Sequence, residues 1–552
     1  MSRILLAVSS GASRTGSFRI PLLLACAAAA IYLTAASCRD FWSPDEPDFA
    51  EAVREMRDRG DYLVPYQNGK PYSEKPILYY WAMAAASSPV ASRVVPALIR
   101  IPSILSGAFL VFGAAWLAGR KGGPREALVA GAVTAVSPIV FWQSQFLQTD
   151  GLFTALLFGA LLAQAMIEED SSHAASWRWV FQLLLPLAVL TKGPLAIVLV
   201  GLATLVRAVL ARSWRPVLEV GPIRAALVGI AVVVPWYVFA ARAGGPEYTY
   251  DLIVNQNWNR FFHAFDHIKP WWFYVESIWG DFFPWTLPAL VGFVTLWRSG
   301  LFRVRRELFF CAIFIAVSFA FLSTSGSKQA KYLLVAYPFA AVLLAAAAGE
   351  WERQGLPEHG WNGLRFLRTY CLFIASLLFG AALALVPAVR TRAPGFVSRA
   401  PLLAIPLLVG GLGTGWVLFR RRREAAPAVL ALAATFGAAE ASVSLALLPA
   451  IDTLKTGRPF FDRIAPLVAK GEPLAYFGET YHSYPILVLH RFTDHLRTEE
   501  ALAAWVSQRH APAFILSDES EQRKWTSPAL RRLAVVDRQR VGGDQILLLA
   551  IP

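Results

Sequence analysis

The strongest constraint on the fold of this chain is a series of apolar runs, each of about 16–23 residues, that recur along most of its length. A run of this length crosses the hydrocarbon core of a bilayer as an α-helix. Only 16% of the residues are charged, against roughly 25% in an ordinary soluble domain. These features exclude a soluble enzyme, a disordered chain and a coiled coil. They also exclude an outer-membrane barrel, whose strands are about 10 residues long, so we predict a polytopic α-helical membrane protein.

The apolar runs define thirteen predicted membrane spans. Their approximate bounds are residues 18–37, 97–118, 127–145, 150–167, 178–191, 194–211, 222–241, 279–297, 307–323, 332–349, 369–388, 400–419 and 427–449. The first run also has features of a secretion signal, because Arg3, Arg14 and Arg19 precede its apolar residues 20–37 and small residues end it. Its length exceeds that of most signal cores, so we interpret it as a retained span.

Basic residues mark one side of the predicted bundle. They cluster in short loops at residues 120–125, 207–224, 298–306, 353–368 and 420–423. The positive-inside rule places these loops and the N-terminus in the cytoplasm, and an odd number of spans then places the C-terminus outside. The net charge of +14 is thus spread over loops and forms no single basic patch, so we predict no nucleic-acid partner.

Three outer segments are longer than ordinary connections. Residues 39–96 contain two helical stretches, at 48–57 and 75–83, which we expect to lie in the membrane interface, and residues 242–278 form a Trp-rich loop at headgroup depth. From about residue 451 the sequence changes to β-type runs at 474–477, 486–489, 513–516 and 546–550, with a helical stretch at 499–508 and a turn at 541–544. We therefore divide the chain into a transmembrane domain, 1–450, and a soluble outer α/β domain, 451–552.

The first candidate functional residues follow the first span, in the sequence Ser43-Pro44-Asp45-Glu46-Pro47-Asp48. Adjacent carboxylates beside a membrane are costly unless they act as a base, a ligand or a helix cap. Capping of the following helix by Asp45 or Glu46 is the alternative to a functional role. The same loop contains Tyr72-Ser73-Glu74-Lys75, for which a surface ion pair is the alternative.

Three further polar groups lie at the outer ends of predicted spans. They are Thr149-Asp150, Leu190-Thr191-Lys192-Gly193-Pro194 and Lys328-Gln329-Ala330-Lys331-Tyr332. On the predicted topology they meet the first loop and Arg260 at the outer face. A transporter would place charged groups near the midplane, where Glu440 is the chief charged residue. The distribution therefore favours chemistry at the outer membrane–water interface, with a lipid flippase or transporter as the alternative.

The cations of this set favour an anionic ligand. Arginine binds phosphate through two parallel hydrogen bonds, and lysine binds it as a point charge. The carboxylates among them supply groups that can activate or orient a nucleophile. With a lipid phase alongside, the combination indicates a lipid-phosphate substrate.

His263 and His267 are spaced i,i+4 and can bind a metal if that part of the loop is helical. No third ligand is evident near them, so an interfacial structural role is the alternative. We predict no required cofactor, and dependence on a divalent metal stays open.

These motifs resemble those of the membrane glycosyltransferases that use polyprenyl-phosphate sugars, the GT-C superfamily. Within it the chain is similar to the bacterial aminoarabinose (4-amino-4-deoxy-L-arabinose) lipid A transferases, which are related to the protein O-mannosyltransferases. The matching residues, in a resemblance that covers the whole chain, are Asp45-Glu46, Ser73-Glu74-Lys75-Pro76, Thr149-Asp150, Leu190-Thr191-Lys192-Gly193-Pro194 and Lys331-Tyr332-Leu333-Leu334. One departure is Val335-Ala336-Tyr337-Pro338, because relatives often have proline directly after the Tyr-Leu-Leu run.

The resemblance implies transfer of 4-amino-4-deoxy-L-arabinose from undecaprenyl phosphate to lipid A phosphates, in the outer leaflet of a Gram-negative inner membrane. This modification masks negative charge and gives resistance to polymyxin-type peptides. The sugar–phosphate bond supplies the driving force, so no nucleotide or redox cofactor is implied. An enzyme like the protein O-mannosyltransferases, with the same donor chemistry, is the alternative within the superfamily.

The resemblance also implies roles for the candidate residues. Asp45 would orient or deprotonate the acceptor, and Glu74 is the second candidate catalytic carboxylate. Lys75 and Arg260 would stabilise the departing lipid phosphate. The other candidate donor-binding residues are Lys192, Tyr332 and Tyr337. The candidate sugar- or acceptor-binding residues are Asp150, Glu46, Tyr72, Lys328 and Lys331.

Overall fold

The computed structural model describes residues 18–90, 94–262, 266–357, 359–360, 362–468, 471–478, 483–509 and 512–551. Most of this part of the chain is helical, and a five-stranded sheet lies near the C-terminus. The predicted fold class, a polytopic helical protein with a C-terminal α/β region, is confirmed.

The first half of the chain alternates long apolar helices with short ones. Its elements are α1 (Arg19–Ser37), α2 (Asp45–Arg59), β1 (Tyr66–Gln67), β2 (Lys70–Pro71), α3 (Leu78–Ser87), α4 (Pro96–Ile99), α5 (Ile101–Ala135), α6 (Pro138–Gln143), α7 (Thr149–Glu169), α8 (Ala174–Lys192), α9 (Leu195–Leu210), α10 (Arg215–Leu218), α11 (Pro222–Tyr250), a π-helix (Asp251–Asn259) and α12 (Arg260–Phe262).

The second half continues the helical bundle and ends in the sheet. Its helices are α13 (Phe273–Asp281), α14 (Thr286–Arg298), α15 (Leu301–Val304), α16 (Arg306–Thr324), a 3₁₀-helix (Ala330–Ala336), α17 (Tyr337–Gln354), α18 (Gly363–Arg392), a 3₁₀-helix (Pro394–Arg399), α19 (Ala400–Arg420), α20 (Ala426–Ser442), a π-helix (Val443–Leu447), α21 (Leu448–Lys455) and α22 (Arg458–Val468). The remaining elements are β3 (Leu474–Phe477), α23 (Tyr484–Leu489), β4 (Asp494–Leu496), α24 (Glu499–Ser507), β5 (Phe514–Asp518), α25 (Glu519–Gln522), a 3₁₀-helix (Leu530–Arg532), β6 (Ala534–Val541) and β7 (Asp544–Ala550).

Each predicted span coincides with helical structure. Among the described residues, ten helices are long and apolar enough to cross a membrane, and α9 and α14 are shorter apolar helices. The predicted spans at 97–118 and 127–145 share one helix, α5, whose backbone leaves helical geometry at Gly123. Gly123 has a φ of 76° and Pro124 follows it, so the helix bends where one residue tolerates positive φ and the next lacks an amide hydrogen. The count of thirteen spans stays a prediction.

The basic loops meet at one end of the bundle, where acidic helix ends neutralise them. Lys121 contacts Glu169 at 2.7 Å and Glu307 at 2.9 Å. The Arg125 guanidinium lies 3.5 Å from Glu424, which also pairs with Arg421 at 3.2 Å. The loops that the charge pattern placed on one side of the membrane are therefore neighbours in the fold.

Helix α2 of the first outer segment is covered on both faces. Its first turn carries Asp45, Glu46 and Asp48, which suits the positive end of a helix dipole, and Gly60 ends it with a φ of 66°. The helix packs against α3 and α23, and Leu487 of α23 belongs to the same apolar cluster as Phe49. The N-cap is Pro44 and no side chain caps the helix, so the alternative interpretation of Asp45 as a helix cap is wrong.

The C-terminal sheet has the strand order β4-β3-β5-β7-β6. Strands β3, β4 and β5 are parallel, and β6 and β7 form an antiparallel hairpin in which Val541 pairs with Asp544, as the turn at 541–544 predicts. The prediction of a β-type run at 486–489 is wrong, because these residues lie in helix α23. A short run of apolar residues fits a strand or a buried helix equally well, and here Leu487 and Tyr484 pack inward from the helix.

The C-terminal region packs against the first outer segment through specific hydrogen bonds. Gln67 donates to Ser483 at 2.6 Å, and Ser483 donates to Asp48 at 2.7 Å. The Trp42 indole donates to Asp452 at 2.6 Å, and Tyr484 donates to the carbonyl of Phe41. The outer segment is thus held between the membrane helices and the C-terminal sheet.

Candidate active site

A cavity of about 1050 Å³ opens between the first outer segment and the ends of several membrane helices. Its walls come from some of the residues in each of the segments 44–49, 74–76, 139–150, 192–198, 252–262, 266–267 and 321–332. This volume matches the upper end of the range for small-molecule sites, so the cavity has room for a lipid headgroup. The lining combines apolar side chains with several acids and bases.

The structure brings most of the predicted site residues into this one cavity. Those that line it are Asp45, Glu74, Lys75, Asp150, Lys192, Arg260, His267, Lys331 and Tyr332. They come from sequence segments far apart along the chain, and helix ends and tight turns present them to the same space. The convergence of the polar motifs at one face, predicted from the topology, is what the fold shows.

Asp45 stands at the first turn of α2 and reaches into the cavity. Its side chain is 42% exposed, accepts a hydrogen bond from Gln148 at 2.6 Å and lies 3.7 Å from the Lys331 ammonium. The carboxylate is therefore oriented by two polar neighbours while part of it stays accessible. A group held in this way can accept a proton or position an incoming nucleophile.

Glu74 lies between the two cations that sequence reasoning assigned to the donor phosphate. Its Oε1 is 3.3 Å from the Lys75 ammonium and 3.9 Å from the Arg260 guanidinium, and its other oxygen accepts a hydrogen bond from the Tyr72 hydroxyl. Burial acts to raise the pKa of Glu74, but the charge of Lys75, the Tyr72 hydrogen bond and the charge of Arg260 outweigh it and lower the pKa to about 2. Lys75 and Arg260 thus face a common anionic position.

Asp150 and Lys192 form an ion pair at the inner wall of the cavity. The ammonium of Lys192 also lies 4.2 Å from the centre of the Tyr332 ring, which adds a cation–π contact. Lys192 is placed by the turn that follows it, because Gly193 has a φ of 90° and Pro194 precedes helix α9. A β-carbon at position 193 would collide with the Asn257 side chain, so this turn requires glycine.

Four predicted site residues lie outside the cavity lining. Glu46 is fully buried between Arg39 and Arg100. Tyr72 donates its hydroxyl to Glu74, which lines the cavity. Lys328 is 3% exposed and donates to the backbone carbonyls of Lys269 and Ser325.

Tyr337 is the fourth, and it lies away from the donor-binding position that the resemblance implied. Its hydroxyl donates to Asp281 at 3.0 Å and its ring stacks on Phe282. Tyr332 is the tyrosine of this motif that lines the cavity.

The metal prediction rests on a pair of which one member, His263, lies outside the described residues. His267 lines the cavity, 3.9 Å from Asp266. Among the described residues, no group of three or more His, Cys, Asp or Glu side chains is arranged to hold a metal ion.

Sequence reasoning missed several polar residues of the site. Arg260 donates to Gln256 at 2.9 Å and to Asp266 at 2.7 Å, so two side chains aim its guanidinium. Gln256 precedes Arg260 by four residues, which is a detectable helical spacing. Asp266 reaches Arg260 through the fold of the loop, and no local pattern in the sequence identifies it.

The arrangement suits transfer chemistry on a phosphate-bearing lipid. Lys75 and Arg260 can hold an anionic leaving group, while Asp45 occupies another part of the wall with an accessible carboxylate. Donors fixed before the reaction stabilise charge that develops in the transition state at little reorganisation cost. The chain has the GT-C fold.

Comparison with known proteins confirms the resemblance inferred from the motifs. Residues 17–243 match the family described as dolichyl-phosphate-mannose-protein mannosyltransferase. An undecaprenyl phosphate-alpha-4-amino-4-deoxy-L-arabinose arabinosyl transferase from Sodalis glossinidius is 29% identical, over 70% of this chain and 68% of the relative. ArnT from Cupriavidus metallidurans superimposes with a TM-score of 0.75 in its apo state, at 21% identity over 96% of this chain and 97% of that protein. The same protein bound to undecaprenyl phosphate gives a TM-score of 0.74, at 19% identity and the same coverage.

Proposed function

We propose that this protein transfers 4-amino-4-deoxy-L-arabinose from undecaprenyl phosphate to a phosphate group of lipid A. The observation that carries the proposal is the position shared by Lys75 and Arg260, which converge on Glu74 in a cavity walled partly by apolar side chains. The names of the relatives support the donor. The acceptor is the further step of the proposal, and it rests on the resemblance.

In the proposed reaction an oxygen of the acceptor phosphate attacks C1 of the sugar. The bond between C1 and the donor phosphate oxygen breaks, and its electron pair stays on that phosphate. Lys75 and Arg260 bind the departing phosphate and stabilise its developing charge. Asp45 orients the acceptor and accepts a proton where the acceptor phosphate still carries one, since the second pKa of a phosphomonoester is about 6.

The proposed orientation places the cavity and the C-terminal region in the periplasm of a bacterium and the basic loops in the cytoplasm. The support is the ion-paired cluster around Lys121 and Arg125 at one end of the bundle, which the positive-inside rule assigns to the cytoplasm. The cavity lies next to the first outer segment and to the C-terminal region that packs on it.

The test is mass spectrometry of lipid A from cells that lack the gene and carry either the wild type or Asp45→Asn. We expect the wild type to add an aminosugar-sized mass and to restore polymyxin resistance. Asparagine keeps the shape of Asp45 and the hydrogen bond from Gln148 but loses the charge, and general-base assistance is typically worth about 10²–10⁴ in rate. Asp45→Asn should therefore abolish the modification at an equal protein level.

The matched control is Asp58→Asn on the same helix, because the Asp58 side chain is 62% exposed and pairs only with Arg54 among the described contacts. It should modify lipid A as the wild type does. A wild type that leaves lipid A unchanged would refute the proposed acceptor. Modification of secreted proteins in its place would favour the protein O-mannosyltransferase alternative, which the match of residues 17–243 supports.

A further inference from the structure

A chain of polar side chains links the loop that carries Lys75 to the helix that carries Arg260. The Ser73 hydroxyl donates to Oδ2 of Asp251, across 178 residues of sequence. The other oxygen of Asp251 accepts from the Asn255 amide at 2.9 Å. The Asn255 oxygen in turn accepts from the Asn259 amide at 2.7 Å.

Each end of this chain is next to a cation of the cavity. Ser73 is two residues before Lys75, and Asn259 directly precedes Arg260. Asp251 opens the π-helix Asp251–Asn259, a rare conformation that occurs mostly as single turns and often at functional sites. Leu252 and Lys75 line the cavity, whereas Ser73 and Asp251 are not among the residues that line it. Both are partly buried.

We propose that the hydrogen bond between Ser73 and Asp251, here called the Ser73–Asp251 latch, holds Lys75 and Arg260 at the spacing needed to bind one phosphate group of the donor. The inference rests on the proposed function, and it makes Asp251 a positioning residue. Two cations on separate segments bind one anion well only if their relative position is fixed before binding, because ordering them at the moment of binding lowers affinity. The latch joins the two segments directly.

A latch of this kind acts on donor affinity and on transfer, because Lys75 and Arg260 hold the phosphate both when it binds and when it departs. A hydrogen bond that only stabilised the fold would lower the melting temperature and leave the affinity of the folded protein intact. The two roles therefore differ in the dissociation constant for undecaprenyl phosphate and in the split between KM and kcat.

The test is a double-mutant cycle on purified full-length protein, with Ser73→Ala, Asp251→Ala and the double variant. The probe is undecaprenyl phosphate, titrated to obtain its dissociation constant. We expect each single variant to weaken binding about tenfold, which equals about 1.4 kcal/mol. The double variant should bind no more weakly than either single variant, because both remove the same interaction. In the transfer assay the KM for the donor should rise by a similar factor, and kcat should fall as well, because the same two cations stabilise the departing phosphate.

Asp251→Asn provides a conservative variant, since its amide oxygen still accepts from the Ser73 hydroxyl, while its NH2 group replaces the oxygen that accepts from Asn255. It should bind undecaprenyl phosphate within about threefold of the wild type, and with Ser73→Ala it carries the test if Asp251→Ala fails to fold. Ser88→Ala is the matched control, because the Ser88 hydroxyl bonds only to Ala85 of its own helix among the described contacts.

Three outcomes would overturn the inference. They are unchanged affinity in either single variant, additive losses of affinity in the double variant, and a fall in kcat at constant KM. A wild type that fails to bind undecaprenyl phosphate would overturn it as well. A wild type that binds undecaprenyl phosphate but transfers no aminoarabinose would refute the proposed function alone, and the binding cycle would still decide the role of the latch.

Discussion

Replacing Glu46 with glutamine removes the one carboxylate that two buried arginines share. Arg39 donates to Glu46 at 2.5 Å, and Arg100 donates to it at 2.7 and 2.9 Å. The backbone amides of Trp42 and Leu147 also donate to this carboxylate. All three charged side chains have no exposed surface, so the variant leaves two buried cations without the carboxylate that both of them contact.

The structure sets the size of the effect. Burial acts to raise the pKa of Glu46, but the charges of Arg100 and Arg39 and their hydrogen bonds outweigh it and lower the pKa to about 2. The pKa of glutamate in an unfolded chain is about 4.3, and each tenfold change in proton affinity is worth about 1.36 kcal/mol. The lowering corresponds to about 3 kcal/mol of stability. Breaking a buried ion pair typically costs about 3–5 kcal/mol, so both routes predict a large loss.

The sign of the pH dependence follows from the direction of this pKa. Because the folded-state pKa lies below the unfolded-state value, the stabilisation is complete above about pH 4.3. It is lost as the pH falls toward the folded-state pKa of about 2. Between pH 5 and pH 8 Glu46 should contribute no pH dependence to stability.

The assay is thermal unfolding of the detergent-solubilised protein at pH 7, followed by size-exclusion chromatography of the fraction that remains folded. Glu46→Gln should melt at a clearly lower temperature and accumulate to a lower level in cells. Asp58→Asn, the exposed control on the same helix, should melt with the wild type. If Glu46→Gln also melts with the wild type but transfers no sugar, the structural assignment of Glu46 is wrong and the predicted sugar- or acceptor-binding role stands.

Two further predictions concern the cavity and the orientation of the chain. Glu74→Gln removes the carboxylate that competes with a bound phosphate for Lys75 and Arg260. Undecaprenyl phosphate should therefore bind at least threefold more tightly, while transfer slows. Weaker binding would contradict this prediction. In a protein freed of its native cysteines, an impermeant thiol reagent applied to spheroplasts should label a cysteine at exposed residue 544 and leave one at residue 421 unlabelled. Labelling at 421 without labelling at 544 would reverse the proposed topology.

The sequence predicts the membrane helices well because bilayer thickness sets the length of each apolar run. It also predicts much of the cavity lining, since motifs such as Lys192-Gly193-Pro194 specify local geometry. There, glycine ends one helix with a positive φ and proline begins the next. A polar group fixed at such a helix end faces the same side of the membrane as the other outer turns.

The roles of adjacent residues could not be predicted in the same way. Asp45 and Glu46 are both acids in the first turn of α2, yet Asp45 faces the cavity and Glu46 faces the core. The helical rotation between neighbours separates them, and the choice depends on Arg100, which is 54 residues away in sequence. Lys328 and Lys331 differ in their surroundings for the same reason. Lys331 lines the cavity, whereas Lys328 donates to backbone carbonyls that the fold brings near it.

The charges of the cavity explain why a phosphate-bearing ligand suits it better than a neutral one. Lys75, Lys192, Arg260 and Lys331 each have a carboxylate neighbour, in Glu74, Asp150, Asp266 and Asp45 respectively. A neutral headgroup offers these cations no negative charge, so it cannot replace the ion pairs that they form with the carboxylates. A phosphate competes with Glu74 for two cations at once and adds bidentate hydrogen bonding to the guanidinium, and when it leaves, Glu74 can take back the same contacts. In the proposed reaction, departure of the lipid phosphate therefore returns Lys75 and Arg260 to Glu74, which favours turnover over product retention.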